Sequence, residues 1–266
     1  MKYKIINGAV DIDGDSILSQ INIEIKNKEK IAIIGRNGAG KTTLLKALID
    51  NDLLSEGSGE EKFCVIKEDK PVLGYLKQVE FEDESISMID EILKIYKPII
   101  DLEIKINKLL DQMQHDKTNK SAEEYSKAIE RFEMLDGYSY KKEYEVAIRK
   151  FGFSEEDKQK KIGEFSGGQR SKIAFIKLLL SKPDILFLDE PTNHLDLVTI
   201  EWLEKFLKSY SKSIVIVSHD RMFLNKIVNK VYEIEYGETT EYIGNYSAFE
   251  KQKKANYEKQ IELLGI

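Results

Sequence analysis

Ile31-Ala32-Ile33-Ile34-Gly35-Arg36-Asn37-Gly38-Ala39-Gly40-Lys41-Thr42-Thr43 is the stretch that decides how this chain folds. The apolar run 31–34 ends at glycine, the pattern of a strand buried on both faces of a parallel sheet. Residues 41–50 then follow a helical pattern. The join, Gly35 to Thr42, has the form G-x(4)-G-K-T of a phosphate loop. Gly35, Gly38 and Gly40 let the backbone wind tightly, so that N–H groups of the loop, Arg36, Asn37 and Ala39 included, point at one anion. The helix that follows presents its N-terminus to the same anion. Lys41 supplies positive charge for β- and γ-phosphates, Thr42 a hydroxyl for Mg²⁺, and Thr43 a further phosphate contact.

Downstream, Ile185-Leu186-Phe187-Leu188-Asp189-Glu190 sets two carboxylates at the end of a second apolar strand. Open α/β sheets collect ligands at the carboxyl ends of their strands, so this Walker B element belongs beside the phosphate loop. Asp189 is suited to hold Mg²⁺ through water. Glu190, one residue on, is suited to polarise an attacking water. A third apolar strand, 214–217, ends at Ser218-His219. The alternation of apolar strands and helices predicts a parallel α/β sheet. Residues 3–6 and 21–25 read as short strands, the second alternating apolar and polar, and a more polar strand pair covers 231–243. Asp11-Ile12-Asp13-Gly14-Asp15 has the start of a calcium loop, but Ser16 and Asn22 stand where that loop needs glycine and glutamate, so it reads as a turn.

Phe165-Ser166-Gly167-Gly168-Gln169-Arg170 precedes a helix over 171–181. A serine hydroxyl and glycine amides at a helix start form a second anion cradle. Together with the phosphate loop and the Walker B strand, this signature resembles the ATP-binding cassette (ABC) superfamily, over essentially the whole chain. The resemblance implies an α/β P-loop ATPase core, an antiparallel β subdomain and an α-helical signature subdomain. It implies ATP and Mg²⁺ as ligands, ATP hydrolysis as the activity, and a composite site in which Ser166, Gly167, Gly168 and Gln169 grip the γ-phosphate held by another ABC domain. Gln78, after the strand 73–76, matches the family's glutamine loop, which senses Mg²⁺ and the attacking water. His219 matches the switch histidine, and Asn193-His194-Leu195-Asp196 the D-loop. One departure concerns the base: the family's adenine-stacking aromatic falls near Ile12, with Tyr3 the nearest aromatic in that region, so preference for ATP over GTP is less marked in the sequence than the phosphate chemistry.

Residues 98–135 change character. Leu102, Ile106, Leu109 and Met113 form one helical stripe, and Tyr125, Ile129, Phe132 and Leu135 another. Ser121-Ala122-Glu123-Glu124 reads as a capping box opening the second helix. The pattern predicts an inserted antiparallel hairpin. From Lys97 to Lys161 there are 14 basic and 14 acidic residues, so the insertion is highly charged yet neutral. Its place between Gln78 and Ser166 resembles the arm of ABC-F proteins, as does the asparagine-histidine D-loop. Tyr242 to Phe249, with lysines beyond, is similar to the entry of the linker that joins two ABC domains. The expected organisation is an ABC domain over 1–246 and the start of a helical linker over 247–266.

The ABC-F resemblance implies a ribosome-binding ATPase acting as a translation factor or as a protector of ribosomes from antibiotics. Lys251, Lys253 and Lys254, with Lys117 and Lys120 at the hairpin tip, would then meet rRNA phosphates. ABC-F proteins carry two ABC domains, whereas this chain has one phosphate loop and one signature. The expectation is an N-terminal piece of a longer protein, with hydrolysis requiring that second domain or a head-to-tail dimer. The competing readings are a nucleotide-binding subunit of a membrane transporter and a chromosome or DNA-repair ATPase. The first is disfavoured by the charged arm and the D-loop, the second by a hairpin too short for a long coiled coil.

Bulk properties bound these readings. The 266 residues suffice for one large domain with an insertion. A net charge of −6 excludes a generally basic surface, though not a local basic patch. The single cysteine, Cys64, cannot form an intramolecular disulfide, as suits a reducing compartment. No apolar run is long enough to span a bilayer, so no membrane insertion is expected and the expected location is cytoplasmic.

Overall fold

The computed structural model describes residues 2–76, 81–115, 119–193 and 195–264. Along the chain, a strand hairpin β1 (Lys2–Ile12) and β2 (Asp15–Lys26) leads to β3 (Lys30–Gly35) and helix α1 (Lys41–Ile49). Three short strands follow, β4 (Ser55–Glu56), β5 (Cys64–Lys67) and β6 (Leu73–Leu76). Five helices come next: α2 (Met88–Leu93), α3 (Lys97–His115), α4 (Asn119–Met134), α5 (Tyr140–Lys150) and α6 (Gly167–Leu180). The rest alternates: β7 (Ile185–Asp189), α7 (Leu197–Ser209), β8 (Ser213–Val217), α8 (Arg221–Ile227), β9 (Lys230–Glu235), β10 (Glu238–Ile243) and α9 (Tyr246–Leu264). Two compact units result, one of Met1–Glu80 with Lys182–Ile266 and one of Phe81–Ser181.

The first unit holds every described strand in one sheet, ordered β4-β1-β2-β10-β9-β3-β8-β7-β6, with β5 also paired to β1. Neighbours from β9 through β3, β8 and β7 to β6 run parallel, and β3, β7 and β8 are the apolar runs read from the sequence. Their interior residues are buried without alternation, because helices cover both faces of a parallel sheet. A core of Ile31, Ile33, Leu44, Leu45, Leu48, Phe187 and Val217, among others, fixes α1 against the strand ends. The β1–β2 hairpin is longer than the two short strands expected. It turns at Asp13 and Gly14, both with positive φ (53° and 91°), which suits the right-handed twist of its strands.

At the other end, Tyr242 and Phe249 meet edge to face with centroids 4.9 Å apart, packing the root of α9 on β10. Lys253 is paired with Glu233 and Glu235 of β9. It therefore anchors α9 to the sheet and is not a free cation for a phosphate.

In the second unit, α3 and α4 bury Ile106, Leu109, Ala128 and Phe132 in one cluster with Tyr96, Ile99 and Tyr140, and Leu102, Tyr125, Ile129 and Leu135 flank it. Helix α4 is described from Asn119, two residues ahead of Ser121. Lys117 lies outside the described residues. The carboxylate of Glu91, on α2, is buried and paired with Lys94 and with Lys177 of α6.

Candidate functional site

The phosphate loop leaves β3 at Gly35 and enters α1 at Lys41. Gly40 has φ 91°, and a Cβ there would lie 3.1 Å from both Ile17 and Leu18. Only glycine meets both demands. No side chain caps α1, and no acidic residue stands in its first turn, so its positive end is left to an anion. Lys41 is buried, and its ammonium donates to the carbonyls of Gly35 and Arg36 at 3.0 Å each. Burial pulls its pKa down, while Glu190 and Asp189 oppose the shift.

Parallel pairing carries Asp189 to the same end of the sheet, opposite Val217 of β8. The Thr42 hydroxyl donates to Asp189 Oδ1 at 3.4 Å. A hydroxyl and a carboxylate, both hard oxygen donors, thus stand together beside the loop lysine. This fits Mg²⁺, which takes one or two protein oxygens and completes its shell with phosphate and water. Among the described residues no group of three or more His, Cys, Asp and Glu is arranged to hold a metal ion by itself.

Glu190 has a left-handed backbone, φ 47°, uncommon for a residue with a Cβ. Its N–H donates to Val217 O at 2.8 Å, which holds the turn. Its Oε2 accepts from the His219 N–H at 3.3 Å, and His219 Nε2 lies 3.5 Å from Oε1. Oε1 is buried and makes no hydrogen bond among the described residues. Burial pushes the Glu190 pKa up, with the His219 N–H pulling against it. Strain and an orphaned carboxylate oxygen at a strand end are the marks of a reactive group.

Lys41, Thr42, Thr43, Asp189, Glu190 and His219 line one cleft of about 590 Å³, with Ile12 and Ile17 also in its lining. Tyr3 is absent from it. Its ring is buried in the core and its hydroxyl donates to Leu48 O at 2.6 Å, so aliphatic side chains stand where a base-stacking aromatic was sought. Gln78 and His194 lie outside the described residues. Asn193 lines the cleft. Sequence reasoning missed Ile17 and the neighbouring Tyr75 of β6, whose relevance follows only from strand register.

Ser166 to Gln169 belong to the second unit. Ser166 caps α6: its Oγ accepts from Gln169 N at 3.3 Å, and its own N–H donates to Gln169 Oε1 at 3.0 Å. This reciprocal box fixes the helix start and leaves the Ser166 hydroxyl hydrogen free to donate outward.

The sequence pattern of the ABC transporter family matches residues 18–193, the span that holds the phosphate loop, the signature and the Walker B carboxylates. The chain belongs to this family. As an ABC domain it is 40% identical over 94% of its length to YdiF of Bacillus subtilis, a protein named for ATP binding, and covers 38% of it. It is 35% identical over 90% of its length to the ATP-binding protein Uup of Buchnera aphidicola, covering 34%, and 31% identical over 94% to YheS of Escherichia coli K12, covering 38%. The chain thus spans little more than a third of these relatives. Among solved ABC structures, the ATP-binding subunit of a transporter superposes with a TM-score of 0.63 at 15% identity, over 91% of this chain and 90% of that one. At that identity the likeness concerns the fold alone.

Proposed function

We propose that this chain is the ATP-binding and ATP-hydrolysing half of an ABC-F protein that acts on the ribosome, as a translation factor or in protection from antibiotics. The observation that carries the ATPase part is the convergence of Lys41, the Thr42–Asp189 pair, and Glu190 with His219 in one cleft. The α3–α4 hairpin and the Asn193–Asp196 sequence support the ABC-F part. The relatives are more than twice as long as the matched region, which leaves room for a second ABC domain and a linker beginning near 247. The organisation proposed is an ABC domain over 1–246, its arm at about 98–135, in a cytoplasmic protein.

In this reading Lys41 and the N-terminus of α1 hold the β- and γ-phosphates, and Thr42 and Asp189 hold Mg²⁺, with Gln78 completing the metal site. Bound Mg²⁺ neutralises charge that develops on the phosphates. Glu190 accepts a proton from the attacking water; its raised pKa brings it closer to the working range of a general base. His219 keeps that carboxylate oriented. Ser166 and the amides of Gly167 and Gly168 close over the γ-phosphate of another domain. ATP binding favours the closed form and hydrolysis releases it.

The test is ribosome co-pelleting with ATP, using the two-domain parent with Glu190→Gln and the matching glutamate of its second domain changed likewise. Glutamine keeps the shape and removes the base, so ATP stays bound and the closed form accumulates. ATP-dependent pelleting, weakened by deletion of 98–135, is the expected result. Absence of pelleting with ATP binding verified removes the ribosomal role, and a transporter subunit becomes the leading reading.

A further inference from the structure

The hydroxyl of Tyr75 is buried and has no hydrogen-bond partner among the described residues. Its ring packs against the core beneath α1. Phenylalanine would fill that position without burying an unpaired hydroxyl, so packing alone does not explain a tyrosine there. Strand register says where the hydroxyl goes. Tyr75 of β6 stands opposite Phe187 of β7. Side chains alternate along a strand, so Phe187 and Asp189 share a face with Tyr75, and Asp189 is the diagonal neighbour toward the ligand end, within reach of an aromatic side chain. Burial raises the Tyr75 pKa and the Asp189 carboxylate raises it further, so the phenol is a proton donor at any physiological pH. The face is also the one that α1 covers, and α1 begins with Lys41 and Thr42.

We propose that Tyr75 is a positioning residue for the metal: its hydroxyl donates to the outer shell of Mg²⁺, through one metal-bound water held beside the Asp189 carboxylate. Thr42 already occupies Oδ1 of that carboxylate. A donor to the water that this carboxylate holds fixes the carboxylate's rotation. The inference rests on the reading of the cleft as a Mg·ATP site.

The experiment is a Mg²⁺ titration of a fluorescent ATP analogue bound to the chain, for wild type, Tyr75→Phe and Tyr75→Leu. Loss of such an outer-shell contact raises the half-saturating Mg²⁺ concentration roughly tenfold in Tyr75→Phe. Mg²⁺-free binding of the analogue stays as in wild type. The melting temperature of Tyr75→Phe is equal to wild type or higher, because the unpaired hydroxyl is gone. Tyr75→Leu shows the same Mg²⁺ defect together with a lower melting temperature. An unchanged Mg²⁺ midpoint in Tyr75→Phe overturns the proposal, as does an equal loss of binding with and without Mg²⁺, which marks a packing role. If wild type itself shows no Mg²⁺-dependent binding, the reading of the cleft fails and takes this proposal with it, an outcome visible before any variant is compared.

Discussion

Asp157 shows how much one exposed loop can owe to a single carboxylate. Its Oδ2 accepts from the N–H and hydroxyl of Ser154, at 2.8 and 2.9 Å, and its Oδ1 pairs with Lys160 at 2.7 Å. The turn so fixed feeds residues 160–163, which bond to the backbone of 84–88 just before the signature serine. Lys160 first, and then the Ser154 N–H, pull the Asp157 pKa from 3.8 to about 2. A carboxylate held below its unfolded value stabilises the fold above that unfolded value, and the contribution is lost as pH falls through the folded one. Asp157→Asn is therefore expected to lower stability by about 1 kcal/mol at pH 7, a figure already discounted for solvent screening. The gap between variant and wild type in urea melts narrows as pH drops below about 4, the unfolded value from which linkage operates. A gap independent of pH would mean that the lost contacts are those of shape and not of charge. At this scale the side chains that gather in one cleft were readable from sequence, since Lys41, Thr42, Asp189 and Glu190 sit in fixed patterns of neighbours. Tyr75 was not, because its neighbour Asp189 is 114 positions away in numbering and adjacent only through register.

Among the elements, the β1–β2 hairpin departs furthest from its sequence reading, and Asn7 is the reason. Residues 3–6 and 21–25 were legible as short strands, the second from its alternation, but the continuation of the first beyond Ile6 was not. In the structure Asn7 takes a left-handed φ of 48° and the strand continues through an irregular register to Ile12. Such a bulge breaks the period of two on which strand reading depends. Asn7 is also fully engaged: Nδ2 donates to the carbonyls of Gly57, Gly59 and Glu61, and Oδ1 accepts from Gly59 N–H. It thus pins the 57–61 loop across β1. Asn7→Ala strands these backbone groups and places a Cβ without side-chain compensation at positive φ, for an expected loss of about 2–3 kcal/mol. Asn7→Gly relieves the backbone alone, so it recovers only part of that loss in melts, and both variants expose 57–61 to proteolysis. Full recovery by glycine would assign the whole effect to φ and none to the loop.

For the whole molecule the decisive fact is that the phosphate loop and the signature lie in different compact units of a chain that has one of each. The chain also spans little more than a third of its relatives, so a site completed by another ABC domain is the arrangement under proposal. If two copies of this chain supply the pair, each site takes Lys41 from one copy and Ser166 from the other. Lys41→Ala removes the phosphate charge and Ser166→Arg fills the second cradle, so each variant alone leaves both sites broken and should show no turnover. Mixed in equal amounts, half of the dimers are heterodimers, and each of these joins the intact loop of one copy to the intact signature of its partner. One site of two is then restored in half of the dimers, which gives roughly a quarter of wild-type hydrolysis for independent sites in a two-fold dimer. Single variants are unable to reach this value by partial activity, because it appears only on mixing. A silent mixture beside an active wild-type chain would show that each copy completes its own site. In that case Ser166 to Gln169 would act within the chain, and the need for a second domain would fall away.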